Sequence, residues 1–326
     1  MTTAPGRPLA VFTDWDAMID IGPGRALLEG AGWDTRAIGT SDPAAVLEAC
    51  RGAVAICLGY AHLDAAMLRA LPSVRIVSLL ATGADTVDLD AARQLGIWVA
   101  NVVGASTEEV AVHALALSLA LVRRLPALEA AVRGGGWNGL AGGPIRRLST
   151  LTLGLIGLGR IGRRHAALAA LLYGRIVGHD TDLPVEAWPD GVERLDLDEV
   201  FATADVLALH VPLVAGTRHL VDAARLGRMR RGAFLVNVAR GDVVDSAALL
   251  AALDTGQLGG AALDVLPAEP PHAGDPLVGH ARVLVTPHAG FYSVEAAQDY
   301  AVQQARNVLA WQAAGRPLNV VVEGRA

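Results

Sequence analysis

Three side chains able to carry charge stand directly after apolar runs in the second half of the chain. Arg240 follows "FLVNVA", Glu269 follows "AALDVLPA" and His288 follows "RVLVTP". A guanidinium at the mouth of a buried strand has lost part of its water and must meet an anion or a dipole. It can grip a carboxylate in a two-pronged fork and polarise a carbonyl. An imidazole can give and take the proton of a hydroxyl–carbonyl interconversion, and a carboxylate beside it favours the imidazolium and fixes its tautomer. Each residue also has a plainer reading: a loop ion pair for Arg240, a solvated acid before two prolines for Glu269, a core histidine with a backbone partner for His288.

A second motif bears on which reading holds. "LTLGLIGLGRIGRRHAALAALL" places Gly157, Gly159 and Gly162 between an apolar strand and an Ala/Leu helix. In that context the glycines permit a tight turn, close approach of the backbone to a pyrophosphate, and close helix–strand packing. The helix start at Arg160 and Ile161 then faces the phosphates. Asp180 ends "GRIVGHD", 18 residues past Gly162. An acid there accepts from an adenosine ribose 2′-hydroxyl and repels a 2′-phosphate, which favours NAD over NADP. Arg163 and Arg164 lie past the third glycine, on the helix, and His179 reads as a surface residue. The alternative is a glycine-rich turn in a non-binding domain. In an open parallel sheet, ligands bind outside the carboxyl ends of the strands, so Arg240, Glu269 and His288 can converge on a nicotinamide. A hydride carrier, an acid–base and an anion anchor together make a 2-hydroxy acid dehydrogenase that takes a small 2-oxo or 2-hydroxy acid.

These residues need a scaffold, and the rest of the chain supplies one. Strand-like and helix-like segments alternate throughout, which predicts an α/β fold of two Rossmann-like, doubly wound parallel-sheet units. "LAVFTD" leads to a helix over 24–30, "AVAICLG" to "HLDAAMLRAL", and "VRIVSLLA" to "VDLDAARQLG". A long helical run begins at Ser106 or Thr107 as cap, with Glu108 and Glu109 in its first turn, and Pro126 marks a kink or break. A second series runs from Leu151 through "RIVGHD", "VLALHVP", "FLVNVA", "GGAALDV" and "RVLVTPH". The final helix, 294–314, has no new strands to join and is expected to return to the first unit.

Composition narrows the classes. The chain has 326 residues, 52% hydrophobic, with a net charge of −6 and no long basic run. That gives ample core and argues against a nucleic-acid partner. All 27 basic residues are arginine, so Schiff-base chemistry, pyridoxal phosphate anchoring and a Walker-type loop, which need lysine, are excluded. Cys50 and Cys57 are too few for a disulfide framework or a thiolate metal site, and no metal is expected. The amino terminus has no leader pattern, and the longest apolar stretch, 111–122, is too short to span a bilayer. A cytoplasmic protein without a membrane partner is the expectation.

"LGLIGLGRIG", "LALHVPL", "MRRGAFLVNVARGDVVDSAALLAAL", "GGAALDVLPAEP" and "VLVTPHAG" match, in order and spacing, motifs of the D-isomer-specific 2-hydroxyacid dehydrogenases, which the chain resembles from about 101 to 288 and more weakly throughout. The resemblance implies that Arg240 binds the substrate carboxylate, that His288 is the acid–base and that Glu269 pairs with it. It places Asp264 on the nicotinamide carboxamide, the alternative being an acid that holds a turn. Val211, Pro212, Val238, Ala239 and Gly290 would line the cofactor. "LLATGADTVD" matches a substrate loop whose backbone around Thr82 and Gly83 cradles the carboxylate. The implied architecture is a flavodoxin-like substrate domain, 1–100 and 290–326, with an NAD-binding Rossmann domain, 101–289, inserted. Hinges would lie near 99–102 and 286–292. A homodimer through the nucleotide-binding domain is implied too, which suits the long apolar helix at 111–122. "TPHAGFYS" resembles the C-terminal-binding-protein-like branch, with Phe291 where that branch carries a tryptophan against the substrate side chain. Two further departures from that pattern are Ala81 in the substrate loop and Val112 in the long helix. Some members of that branch are co-repressors, so an NAD(H)-sensing binding protein is the alternative function.

Overall fold

The computed structural model describes residues 6–15 and 18–325; residues 1–5, read above as free of a leader, lie outside it. The chain divides into two units, 1–105 with 292–326, and 106–291. The first begins β1 (Leu9–Phe12), α1 (Gly22–Gly30), β2 (Asp34–Ala37), α2 (Pro43–Ala49), β3 (Ala55–Leu58), α3 (Ala65–Ala70), β4 (Ile76–Leu79), α4 (Leu89–Leu95) and β5 (Trp98–Ala100). Helix α1 starts two residues before the expected glycine because Pro23 is accommodated in its first turn, where no N–H is needed.

The second unit carries α5 (Thr107–Val122), α6 (Leu125–Arg133), β6 (Thr152–Ile156), α7 (Arg160–Ala169), β7 (Arg175–His179), β8 (Val192–Arg194), α8 (Leu197–Thr203), β9 (Val206–Leu209), α9 (Ala223–Arg228), β10 (Ala233–Asn237), α10 (Ser246–Asp254), β11 (Leu258–Leu263) and β12 (Val283–Val285). Aspartates fix many helix starts: Asp222 and Asp245 accept from the first-turn N–H groups of α9 and α10, and Asp196 forms a capping box with Glu199 on α8. Each such cap is worth about 1 kcal/mol and sets where the preceding loop must end. The expected long helix breaks at Arg124, which takes a left-handed conformation, φ +57°. Pro126 then sits in the first turn of α6, and the two helices meet at 60°. Ser106 holds the cap position of α5 without a side-chain bond to the helix.

All strand pairs of the second sheet are parallel, in the order β12-β11-β10-β9-β6-β7-β8. Strand succession reverses between β6 and β9, the switch point where such sheets bind ligands. Alternation along β9 shows how both faces are used. Leu207 and Leu209 pack with the cluster that includes Phe201 and Leu249, while Val206 and Ala208 pack with Leu117 and Leu121 of α5. Helix α5 is thus a core helix of its own unit. Val110, Ala111, Ala114, Leu117, Leu121 and Val122 are buried there, while Val112, Ala116 and Leu119 on its other face are not.

The chain then returns to the first unit as α11 (Val294–Ala314) and β13 (Val320–Val322). The order is β13-β5-β4-β3-β1-β2, parallel except for β13. Without that edge strand it is the flavodoxin-like order. Helix α11 packs on α1, β3 and β4 as expected. Two buried amides lock it there: Gln304 Nε2 donates to Leu58 O at 3.1 Å and Ser78 O at 2.8 Å, and Asn307 Nδ2 to Asn101 O at 2.9 Å. No single described helix is long and apolar enough to cross a membrane.

Candidate active site

The glycine loop joins β6 to α7, and each glycine answers a different steric demand. Gly157 has φ +90°, and a Cβ on it would lie 2.7 Å from His210 O. A Cβ on Gly162 would lie 2.1 Å from Gly157 O, so the helix could not approach the strand. Gly159, the residue before α7, is exposed, and a Cβ there meets nothing within 4 Å. The protein does not need glycine at that place; a phosphate group approaching the backbone would. The exposed start of α7 presents N–H groups and the positive end of its dipole beside it. Asp180 follows β7 and ties to the loop, accepting from Leu158 N at 2.6 Å, Asp182 N at 2.9 Å and Leu183 N at 2.8 Å. Burial pushes its pKa up, but these three donors and His179 outweigh it and hold the carboxyl below its ordinary range. Arg164 pairs with Glu108 at 2.9 Å. These features fit a dinucleotide whose ribose carries free hydroxyls.

Below the loop lies a pair that sequence reading did not anticipate. His165 of α7, wholly buried, places Nδ1 2.9 Å from His210 Nε2 at the end of β9. Burial lowers the His165 pKa to about 4. Burial and the neighbouring His165 also push the His210 pKa well down, so both rings are kept neutral.

Arg240, Glu269 and His288 follow β10, β11 and β12, three neighbouring strands, at their carboxyl ends. Beyond β10, buried Asn237 shapes the turn: Nδ2 donates to Arg240 O at 2.9 Å and Oδ1 accepts from Ala239 N at 3.0 Å. Gly241 makes room for the strand-to-Glu269 segment, since a Cβ would lie 2.0 Å from Leu266 C. Glu269 Oε1 accepts from Leu266 N at 2.9 Å, and Oε2 meets His288 Nδ1 at 2.6 Å. Burial pushes the Glu269 pKa up, but the His288 hydrogen bond and charge, the Leu266 N–H and the Arg240 charge together bring it below the usual value. The guanidinium, the carboxylate and the imidazole therefore form one electrostatic group. His288 has φ +50°, and Phe291 stands edge-on to its ring at 6.3 Å.

Asp264 organises the turn that carries His288. It is 3% exposed. Oδ1 accepts from Thr286 Oγ1 at 2.6 Å and Ala289 N at 2.9 Å, Oδ2 from Gly290 N at 2.9 Å, and its backbone O from His288 N at 2.8 Å. His113 Nε2 of α5 lies 3.0 Å from Thr286 Oγ1 and 3.3 Å from Asp264 Oδ1. Despite burial, which raises it, the Asp264 pKa is held low by His113, Thr286, Gly290 and Ala289. The turn-holding reading of Asp264 is thus what the structure displays. Gly290 is buried, with its N–H on Asp264, and shapes the turn rather than offering an open donor. Val211, Pro212, Val238 and Ala239 lie just past β9 and β10, beside the switch point. Thr82 follows β4 in the first unit, where its hydroxyl donates to Val102 O at 2.9 Å and its carbonyl accepts from Asn101 Nδ2 at 2.6 Å; Gly83 follows it. Sequence reading missed Asn237, His113 and Thr286. Asn237 alone left a trace, a polar residue closing an otherwise apolar strand.

Residues 115–290 match the family described as D-isomer specific 2-hydroxyacid dehydrogenase, NAD binding domain. A glycerate dehydrogenase of Methylorubrum extorquens is 37% identical over 290 residues, covering 86% of this chain and 90% of that one. Among solved structures, a D-lactate dehydrogenase of Aquifex aeolicus complexed with NAD and lactic acid is 28% identical, with 97% and 100% of the two chains covered and a TM-score of 0.87. A glyoxylate/hydroxypyruvate reductase of Sinorhizobium meliloti, in complex with NADP and malonate, is 32% identical, with 98% and 99% covered and a TM-score of 0.84. These similarities reach the family and not the C-terminal-binding-protein-like branch. The chain belongs to the D-isomer-specific 2-hydroxyacid dehydrogenases: it is an NAD-dependent oxidoreductase that interconverts 2-oxo and 2-hydroxy acids.

Proposed function

We propose that the protein reduces a 2-oxo acid with an uncharged side chain to the D-2-hydroxy acid, with His288 as the acid–base and Arg240 as the carboxylate anchor. The observation that carries this reading is the 2.6 Å contact between His288 and Glu269, with Arg240 acting on the same carboxylate. NADH, when bound at the glycine loop, supplies the hydride that reaches C2. Arg240 holds the substrate carboxylate and polarises the adjacent carbonyl. Glu269, kept ionised and pinned by Leu266 N–H, fixes the shared proton on His288 Nδ1 and leaves Nε2 to deliver a proton to the oxygen. Asp264 holds the turn on which this depends, and each of its carboxylate oxygens has two lone pairs, so it is also the proposed acceptor for the carboxamide. Asp180 is the proposed partner of the adenosine ribose, favouring NAD over NADP. Thr82 and Gly83 are the proposed backbone donors to the carboxylate from the first unit. Phe291 beside His288, and a substrate loop "LLATGADTVD" without a basic residue, favour an uncharged side chain over a phosphorylated one.

A homodimer through the second unit is part of this proposal, with α6 and the segment after it as the contact. Helix α6 buries no residue. Leu125 and Val132 are more than half exposed, and Trp137 and Leu140 are 92% and 73% exposed. Apolar surface of that extent on one short stretch suits a second copy.

The test is consumption of NADH against 2-oxo acids running from glyoxylate and hydroxypyruvate to long aliphatic and aromatic side chains. Turnover is expected, fastest on an uncharged side chain. Tight NADH binding with no turnover on any member would contradict the reading and favour the NAD(H) sensor.

A further inference from the structure

The second unit contains a cavity that the catalytic reading leaves unused. It lies at the amino ends of β6, β9 and β10, bordered by Leu151, Asp205 and Phe234, and has a volume of about 220 Å³. Strand β10 separates it from the turn bearing Arg240. Five residues at about 3.3 Å each put roughly 17 Å between the two ends, so a molecule in the cavity does not touch the reacting atoms.

Its lining is basic. Arg124, Arg146 and Arg231 face it, and Asp205 is the one acid among the described lining residues. That acid is already committed. Asp205 is 5% exposed; Oδ1 meets Arg146 Nη1 at 2.6 Å, and Oδ2 meets Arg230 Nη1 at 3.0 Å and Thr152 N at 2.9 Å. Among the described residues, the Arg231 side chain donates to a backbone carbonyl, Thr255 O at 3.1 Å. Arg124 donates Nη1 to Gly259 O at 2.8 Å, and its guanidinium lies 4.7 Å from the Phe234 ring centre. Its Nε is buried with no acceptor among the described residues, and Arg282 adds a further positive charge against it. A buried charged donor left unpaired is costly, and an anion entering here would remove that cost.

We propose that this cavity is a binding site for a small polyanion, a di- or tricarboxylate or a phosphate, held by Arg124, Arg146 and Arg231 and remote from the catalytic residues. The cavity's volume of about 220 Å³ admits a molecule of that size. The apolar wall of Val122, Leu151 and Phe234 accommodates a short hydrocarbon body.

Calorimetric titration tests the site with citrate and inorganic phosphate as separate probes, at ionic strength balanced with chloride. Catalytic Arg240 could also take a carboxylate, so the proteins compared are wild type, Arg240→Ala, Arg231→Gln, Arg146→Gln and Arg51→Gln, the last removing an exposed charge elsewhere. Saturable one-site binding of at least one probe is expected in wild type, Arg240→Ala and Arg51→Gln. Loss of one charged donor should weaken it about tenfold or more in Arg231→Gln and Arg146→Gln. The two pocket variants disrupt different native bonds, and melting curves without probe check that each is folded. The proposal fails if neither probe binds saturably, if binding is lost in Arg240→Ala, or if both folded pocket variants bind like wild type.

Discussion

Asp264→Asn tests whether a buried acid that need not react with substrate sets the geometry of the one that does. The asparagine oxygen can keep Thr286 Oγ1 and Ala289 N, but its amide then turns an N–H₂ toward the N–H of Gly290. One charge-assisted bond is lost and two donors face each other in a site that is 3% exposed. The expected destabilisation is about 2–4 kcal/mol. For a unit of this size that lowers the melting temperature by about 4–16 °C. The same turn donates His288 N to Asp264 O and carries the His288 side chain to Glu269. A displacement of that ring by about 1 Å should lower kcat about a hundredfold. Gly290→Ala attacks the same contact from the other side, because its Cβ would lie 2.7 Å from Asp264 Oδ2. The Asp264 pKa is depressed on folding, so its contribution is present above the ordinary carboxylate value of 3.8 and is lost as pH falls through the lower folded one. The gap between variant and wild type should therefore persist at neutral pH. Calorimetry and steady-state turnover of NADH read the two effects. An Asp264→Asn protein with wild-type melting and wild-type kcat would refute the reasoning.

Gly159→Ala should separate stability from binding: with nothing within 4 Å of the new Cβ, melting should shift by less than about 0.5 kcal/mol equivalent, while NADH affinity measured by fluorescence falls at least about tenfold from the blocked phosphate approach; Gly162→Ala, with its Cβ 2.1 Å from Gly157 O, should instead impair folding. Asp180→Ala should raise the KM for NADH about tenfold and narrow the preference over NADPH, read from kcat/KM for the two cofactors; an unchanged ratio would count against Asp180 as the discriminator. His165 titrates at about 4 in the fold against 6.5 ordinarily, so the unfolded chain takes up its proton first, and its share of stability, about 3 kcal/mol, is present above 6.5 and lost as pH falls toward 4. Denaturant melts across that range should show a shallower acid slope in His165→Leu, and an identical slope would exclude the histidine pair as its source.

What the sequence disclosed, and what it withheld, follows from how local each signal is. The glycine loop was legible because its three steric demands fall within six residues, between a strand and a helix whose patterns are themselves local. The strands β6, β9, β10 and β11 read clearly as apolar runs because both faces of a parallel sheet are covered. Strands β2, β8 and β13 were not read, being short, half-exposed edges whose pairing depends on neighbours supplied by the rest of the fold. The polar network around Asp264 joins residues 113, 264, 286, 289 and 290, and no spacing rule links a helix at 113 to a turn at 290. The helix at 111–122 shows a related limit. Apolarity says that a surface is buried but not by what, and here one face of α5 packs on its own sheet while Val112 on its other face, α6 and Trp137 remain open.

The central claim is that His288 moves the proton for a hydride transfer at Arg240's anchored substrate. The most direct measurement is His288→Gln, in parallel for NADH affinity and for turnover of the best 2-oxo acid. The account predicts NADH binding within about threefold of wild type, since no phosphate contact is altered, and kcat reduced by about 10² to 10⁴. A variant that turns over at the wild-type rate would contradict it and return His288 to a structural role.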